Sequence, residues 1–204
     1  MDDTDDAETT PQAALDAAFA ATPREWFLPP EAQREAGEDR PVHLREGQTC
    51  SQPTTVHQML SLLAVPRGAR VLDVGSGSGW TTALLAQLVG EGGRVDGVEV
   101  RPALVAQGQA NLERAHLPWA RIHQAPPATL GLPDGAPYDR ILVSASAGRL
   151  PASLIDQLAD DGRMVVPIGT TMTIIERTGG HIRTRHAGQY RFVPLLDPEA
   201  SLGE

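Results

Sequence analysis

Lysine is absent from this chain of 204 residues, and all 17 of its basic residues are arginine. That excludes a Schiff-base lysine and a lysine general base. Against 26 acidic residues the formal net charge is −9. Proteins that track nucleic-acid phosphates carry a basic patch or stripe, so this balance argues against a nucleic-acid partner. The single cysteine, Cys50, cannot close an internal disulfide. No apolar run approaches the roughly 18 residues that span a bilayer, and no basic segment followed by an apolar core opens the chain. A cytoplasmic protein with neither a membrane nor a nucleic acid as partner is expected, with a monomer favoured. His43, His57, His116, His123, His181 and His186 fall into no metal-ligand spacing, so no metal is expected.

What is present suffices for one α/β domain of full size, with too little left for a second. Residues 1–10 are acidic, polar and aperiodic, the composition of a disordered leader. Residues 11–66 read as an N-terminal segment of helices and loops. Helix formers run from Pro11 to Ala21 and stop before Pro23 and the cluster Trp26-Phe27-Leu28-Pro29-Pro30, a candidate docking patch. A second helix is expected from Val56 to Ala64, ended by Pro66. Over residues 67–196 strand and helix patterns alternate. Strands are expected at 70–74, 94–98, 120–124 and 138–144, with helices ending near 89 and spanning 102–115 between them. A helix from Pro151 to Ala159 and a strand from Gly162 to Pro167 follow. Such alternation implies a parallel sheet with helices on both faces. Two runs rich in β-formers, Thr171 to Arg177 and Tyr190 to Leu195, with a turn at Gly179-Gly180, should finish the sheet antiparallel. Residues 197–204 read as a tail.

The densest signal is Val71-Leu72-Asp73-Val74-Gly75-Ser76-Gly77-Ser78-Gly79. It reads as a buried strand followed by a loop whose alternating glycines let the backbone turn beneath a ligand. A dinucleotide fingerprint needs a sixth-position glycine, and that position holds Trp80. The G-x-G-x-G of Gly75, Gly77 and Gly79 suits instead a small cationic ligand without phosphate, a description that S-adenosylmethionine meets. Glu99 ends the next apolar run, where an acid accepts hydrogen bonds from ribose hydroxyls. Ser144, at the carboxyl end of the fourth strand, is a possible liner of the substrate crevice, whereas Asp139 at the opposite end is read as structural. Ser51, before Gln52-Pro53, is on spacing alone a helix N-cap. His57 is read as an ordinary helix histidine.

Six segments together resemble one family. They are Pro23 to Pro29, Gly47-Gln48-Thr49-Cys50-Ser51-Gln52-Pro53, Val71 to Gly79, Ala136-Pro137-Tyr138-Asp139-Arg140-Ile141, Gln157-Leu158 and Gly162 to Gly169. In order and type they are similar to the protein-L-isoaspartate O-methyltransferases. The resemblance implies a Rossmann-like, class I S-adenosylmethionine-dependent methyltransferase fold. The implied activity is methylation of the α-carboxylate of L-isoaspartyl residues in damaged peptides or proteins, with S-adenosyl-L-homocysteine as product. The implied catalytic residue is Ser51, with Thr49, Cys50, Gln52, Pro53 and Ser144 on the substrate side. The cofactor would be held by Asp73, Gly75, Ser76, Gly77, Ser78, Gly79, Glu99, Val100 and Ala128. Cys50 is read as a small packing residue, since the reaction offers no covalent enzyme intermediate.

The chain departs from that family's pattern at two places. Pro127 stands where the family has an adenine-binding aspartate, and Gly37 where it tends to have a tyrosine. A proline supplies neither a carboxylate nor an N–H, leaving the Ala128 N–H for the adenine ring and predicting weaker cofactor binding. The alternatives are a peptide-tailoring enzyme that esterifies an aspartate side chain and leaves an aspartimide, or a cofactor-impaired binding module. Base methylation lacks its Asn/Asp-Pro-Pro-aromatic motif after the fourth strand.

Overall fold

The computed structural model describes residues 10–197. The expected leader, apart from Thr10, and the expected tail, apart from Asp197, lie outside the described residues. Helix α1 (Pro11–Ala21) starts where Thr10 accepts a hydrogen bond from Ala13 N and Pro11 takes a first-turn position that needs no N–H. Short 3₁₀ turns follow at Arg24–Phe27 and Pro30–Glu35. The small hairpin of β1 (Val42–His43) and β2 (Thr49–Cys50) leads into α2 (Pro53–Leu63). From there the alternation expected of the core appears. Its first part is β3 (Arg70–Val74), α3 (Trp80–Val89), β4 (Arg94–Glu99), α4 (Pro102–Arg114) and β5 (Ala120–Gln124). Its second part is β6 (Tyr138–Val143), α5 (Ala152–Asp156), β7 (Leu158–Ile168), β8 (Thr171–Thr178) and β9 (His181–Gln189).

One sheet of seven strands results, in the order β5-β4-β3-β6-β7-β8-β9. The first five are parallel, and β8 and β9 close the edge antiparallel. Chain order reverses between β3 and β6, which opens a crevice beyond their carboxyl ends. The middle strand is covered on both faces, so Val71, Leu72, Asp73 and Val74 are all buried and read as a run rather than an alternation. Helix α3 is apolar all round for the same reason: Ala83, Leu84, Leu85 and Ala86 are wholly buried between the sheet and α1. Residues of α1, α2, α3 and α4 share one core with Val71 and Leu142, whereas Leu154 of α5 packs with Leu72 and Ile141 in the other. Among the described residues no helix is long and apolar enough to cross a membrane.

Two expected elements come out differently. The helix expected to reach Ala159 ends at Asp156, and β7 begins at Leu158 rather than Gly162. The sheet wins because Tyr138 N takes the Gln157 carbonyl and Arg177 takes that of Leu158, while the pairing with β6 shifts register between Leu158 and Arg163, where Asp161 has φ 60°. The last strand is His181–Gln189 and not the run Tyr190 to Leu195. The turn at Gly179-Gly180 does double the chain back, but onto a polar strand exposed on both faces, which carries no alternation to read. Tyr190 to Leu195 instead runs irregularly beside Ser146, bridging to it at Pro194.

Candidate active site

The crevice beyond β3 and β6 is a cleft of about 1470 Å³. Its floor is the glycine loop. Gly75 N and Ser76 N both donate to Val98 O, and the Asn111 side chain of α4 donates to Ser78 O, so the loop is tied to the neighbouring strand and helix. Gly77 has φ 54° and Gly79 φ 87°. A Cβ on Gly79 would stand 3.2 Å from Gly108 O and 3.0 Å from Ile122, so bare backbone is needed there. Behind the loop Asp73 is fully buried and accepts hydrogen bonds from Thr82 Oγ1 at 2.7 Å and Ser144 Oγ at 3.2 Å. Burial pushes its carboxyl up to about 6, against the opposing pull of those two hydroxyls.

Glu99 forms the adjoining wall. Its Oε2 accepts from Gly77 N at 3.0 Å and its Oε1 from Arg101 N at 2.9 Å. Each oxygen keeps a further lone pair for a hydroxyl donor. Ser76 Oγ is buried behind this floor, with no hydrogen-bond partner among the described residues. A floor of bare backbone and a half-used carboxylate fit a ribose-bearing cation. The third wall is the β1–β2 hairpin, which lies over the glycine loop with Leu44 Cδ1 3.7 Å from the position of a Cβ on Gly77. Gly47, Gln48 and Thr49 of this hairpin line the cleft.

Of the sequence-derived candidates, the cleft brings together Gly75, Gly77, Glu99, Val100, Thr49 and Ser144. Asp73, Ser76, Ser78 and Gly79 stand behind the floor, Asp73, Ser76 and Ser78 buried there and Gly79 capping α3. Ala128 is exposed and outside the lining, while Pro126, Pro127 and Thr129 are in it. Ser51, Gln52 and Pro53 are half-buried just beyond Thr49, outside the lining, and Ser51 Oγ has no partner among the described residues. Ser51 does not cap α2. Gln52 holds that position without a side-chain bond, and Asp39 reaches across to take Thr54 N at 2.9 Å. Cys50 is buried, and burial pushes its thiol up, which suits packing rather than nucleophilic attack.

Neighbours of the candidates also settle. His57 faces α1, with Gln12 at 3.2 Å and the Phe19 ring at 5.4 Å. The Trp80 indole turns away from the cleft, donating to Thr22 O beneath α1. The aromatic patch divides, since Phe27, Leu28 and Pro29 are buried while Trp26 and Pro30 are exposed. Asp139 accepts from Arg70 N, a structural bond. Sequence reasoning missed Gln124, Arg101, Arg149 and the segment Phe192 to Asp197 as cleft liners. Gln124 donates to Glu99 O and Val100 O and so stiffens the Glu99 wall. Its only sequence signal is its place at a strand's carboxyl end. The Phe192 to Asp197 segment carried none, for it is held by main-chain bonds between Ser146 and Val193 and Leu195.

A sheet with this strand order, a glycine loop after its first core strand and an acid ending the second, defines the class: a Rossmann-like methyltransferase fold that takes S-adenosylmethionine. The family model for protein-L-isoaspartate(D-aspartate) O-methyltransferase matches residues 5–200. A protein-L-isoaspartate O-methyltransferase of Aeropyrum pernix is 46% identical over 88% of this chain and 71% of its own length. One from Gloeobacter violaceus is 41% identical over 90% of each. Among solved structures, a protein-L-isoaspartate O-methyltransferase superposes with TM-score 0.81 at 25% identity, covering 91% of this chain but 62% of that one. A Plasmodium falciparum protein assigned to the same activity, in complex with S-adenosyl-L-homocysteine, superposes with TM-score 0.78 at 25% identity over 89% of each. The chain belongs to the protein-L-isoaspartate(D-aspartate) O-methyltransferase family.

Proposed function

We propose that the protein methylates the α-carboxylate of L-isoaspartyl residues in damaged proteins or peptides, using S-adenosylmethionine, as the first step of a repair that proceeds through a succinimide. The observation that carries this reading is the shared cleft, in which the glycine loop and Glu99 face the Thr49 hairpin across one continuous space. A cytoplasmic place for this work agrees with the single buried Cys50 and the lack of disulfides.

When bound, the cofactor supplies an electrophilic methyl on a sulfonium sulfur. Gly75, Gly77, Glu99 and Val100 would hold it directly, with Asp73, Ser76, Ser78 and Gly79 supporting the loop from behind. Residues 11–66 supply the acceptor side and residues 67–196 the cofactor side. The acceptor carboxylate, of reference pKa near 4, is already ionised at neutral pH, so no catalytic base is required. The chain's task is positional: hydroxyls of Thr49 and Ser51 grip one carboxylate oxygen and leave the other free to attack. Ser144, bound to Asp73, is held at the carboxyl end of β6 and lines the same cleft as Thr49. Pro126 and Pro127 offer the far wall neither an N–H nor a side-chain carboxylate, so an adenine held there would lack a carboxylate partner for its amino group.

Transfer of labelled methyl to matched peptides, one isoaspartyl and one aspartyl, tests the proposal. Preference for the isoaspartyl peptide is expected. Preference for the aspartyl peptide would replace repair with tailoring, and labelling of neither would overturn the enzymatic reading.

A further inference from the structure

Arg24 sits in the 3₁₀ turn after α1, outside the cleft, and only 6% of it is exposed. Its Nη1 donates to Ala36 O at 3.4 Å and Glu38 O at 3.0 Å. Its Nη2 is 2.9 Å from each of Arg40 O, Cys50 O and Ser51 O. Nε is buried without a partner. Among the described residues, no carboxylate lies within ion-pair distance of it. The guanidinium stands 5.4 Å from the ring centroid of Trp80, the first residue of the helix that follows the glycine loop.

A buried cation caged by carbonyls alone is a costly way to fill space, since burying a charge is unfavourable unless every donor is met, and here one is not. What the arrangement achieves is geometric. One planar group, with donors in a fixed fork, joins the loop 36–40 to the end of β2 and stacks both over the start of α3. The peptide units of Cys50 and Ser51 are thereby referenced to the cofactor helix rather than to their own short hairpin, which has only two paired positions on each strand.

We propose that Arg24 is the positioning residue of the acceptor side, fixing the main chain at Cys50 and Ser51 and so setting where the methyl acceptor is held relative to the cofactor floor. This rests on the reading that Thr49 and Ser51 grip the acceptor carboxylate. Arg24 touches neither substrate nor cofactor and acts through the segment it holds. Lysine at this position keeps the charge but has three donors about one point, and it cannot span the five carbonyls. Methionine keeps much of the stem and removes both charge and donors.

The test compares wild type, Arg24→Lys, Arg24→Met, Ser51→Ala and the Arg24→Lys/Ser51→Ala double variant as full chains. Each is checked for folding by circular dichroism. Peptide kcat and KM are measured, with the Kd of S-adenosyl-L-homocysteine by calorimetry. For Arg24→Lys, kcat/KM should fall by about tenfold to a hundredfold, as expected for a displaced acceptor, with the Kd of S-adenosyl-L-homocysteine within about threefold of wild type. Arg24→Met should fall further. The double variant should lose little beyond Ser51→Ala alone, because both changes disturb one interaction. A purely structural Arg24 would instead weaken product binding and turnover in parallel, and that result, or additive losses in the double variant, overturns the proposal. Should Arg24→Met fail to fold, Arg24→Lys and the double variant still decide it. Ser51→Ala with wild-type kcat/KM would remove the acceptor reading itself, and the Arg24 role with it. Impaired Ser51→Ala beside a silent Arg24→Lys would remove the Arg24 role alone.

Discussion

Ser51 and Glu99 show how differently two side chains of one cleft should respond to removal. Ser51 Oγ has no partner among the described residues, so Ser51→Ala breaks no bond seen there and should leave stability within about 0.5 kcal/mol. Its loss should be felt at the acceptor: kcat/KM for an isoaspartyl peptide falls about tenfold or more while product affinity holds, since the interaction belongs to carboxylate positioning. Equal loss of both quantities would refute that role. Glu99 is already committed to two backbone N–H groups, and it braces the loop as well as facing the cleft. Glu99→Gln replaces one acceptor oxygen by an NH₂ that confronts either Gly77 N–H or Arg101 N–H, donor against donor. Calorimetry should show S-adenosyl-L-homocysteine bound about ten- to a hundredfold more weakly, matching the loss of charge-assisted bonds worth roughly 1.5–3 kcal/mol each. Unchanged affinity would remove Glu99 from the cofactor wall.

At the scale of elements, the loop between β3 and α3 depends on backbone that no side chain obstructs. Gly79→Ala demands φ 87° of an alanine and drives its Cβ against Gly108 O, so a loss of about 1–3 kcal/mol in denaturant unfolding is expected. Wild-type stability in that variant would show that the loop can shift to accommodate it. This loop was legible in the sequence because its demands are local: an apolar run, then glycine wherever a Cβ would collide. The middle strand β3 was legible for a related reason, since a strand covered on both faces reads as a buried run rather than an alternation. The far edge was not. β9 (His181–Gln189) is exposed on both faces, so no burial pattern marks it, and β7 starts early because bonds from Tyr138 and Arg177 claim residues that a local reading gives to a helix. In the site, the glycines and Glu99 could be read because chemistry and spacing coincide. Arg24, Arg101 and Arg149 could not, because an arginine's sequence neighbours say nothing about which carbonyls or cleft it will reach.

For the whole molecule, the consequential buried charge is Asp73, at the centre of the sheet with no exposed surface. Desolvation raises its carboxyl from the ordinary 3.8 to about 6, the hydroxyls of Thr82 and Ser144 pulling the other way and Glu99 adding a smaller upward push. The folded chain therefore keeps this proton between about pH 4 and 6, where the unfolded chain has released it. Stability linked to this group is full below pH 4 and falls as pH rises to about 6, with no further change above. The other carboxylates contribute slopes of their own, so the signal is isolated by subtracting an Asp73→Asn variant, whose amide stays neutral and meets both hydroxyls. Unfolding free energies in urea at pH 4, 5, 6 and 7 should show the advantage of wild type over Asp73→Asn shrinking with pH. The total change should be on the order of 2–3 kcal/mol, since each unit of pKa shift is worth about 1.4 kcal/mol. A difference that stays flat would mean that the Thr82 and Ser144 bonds offset burial, and one that grows with pH would mean that they outweigh it and hold Asp73 ionised. With the expected sign, the charge at neutral pH is retained at the expense of stability, and Asp73→Asn should be the more stable protein at pH 7 relative to its standing at pH 4. The same substitution should loosen the floor beneath the cofactor, because Ser144 and Thr82 are oriented by a carboxylate that only accepts. A variant that gains in urea while binding S-adenosyl-L-homocysteine less tightly would place the buried charge on the side of function rather than of folding.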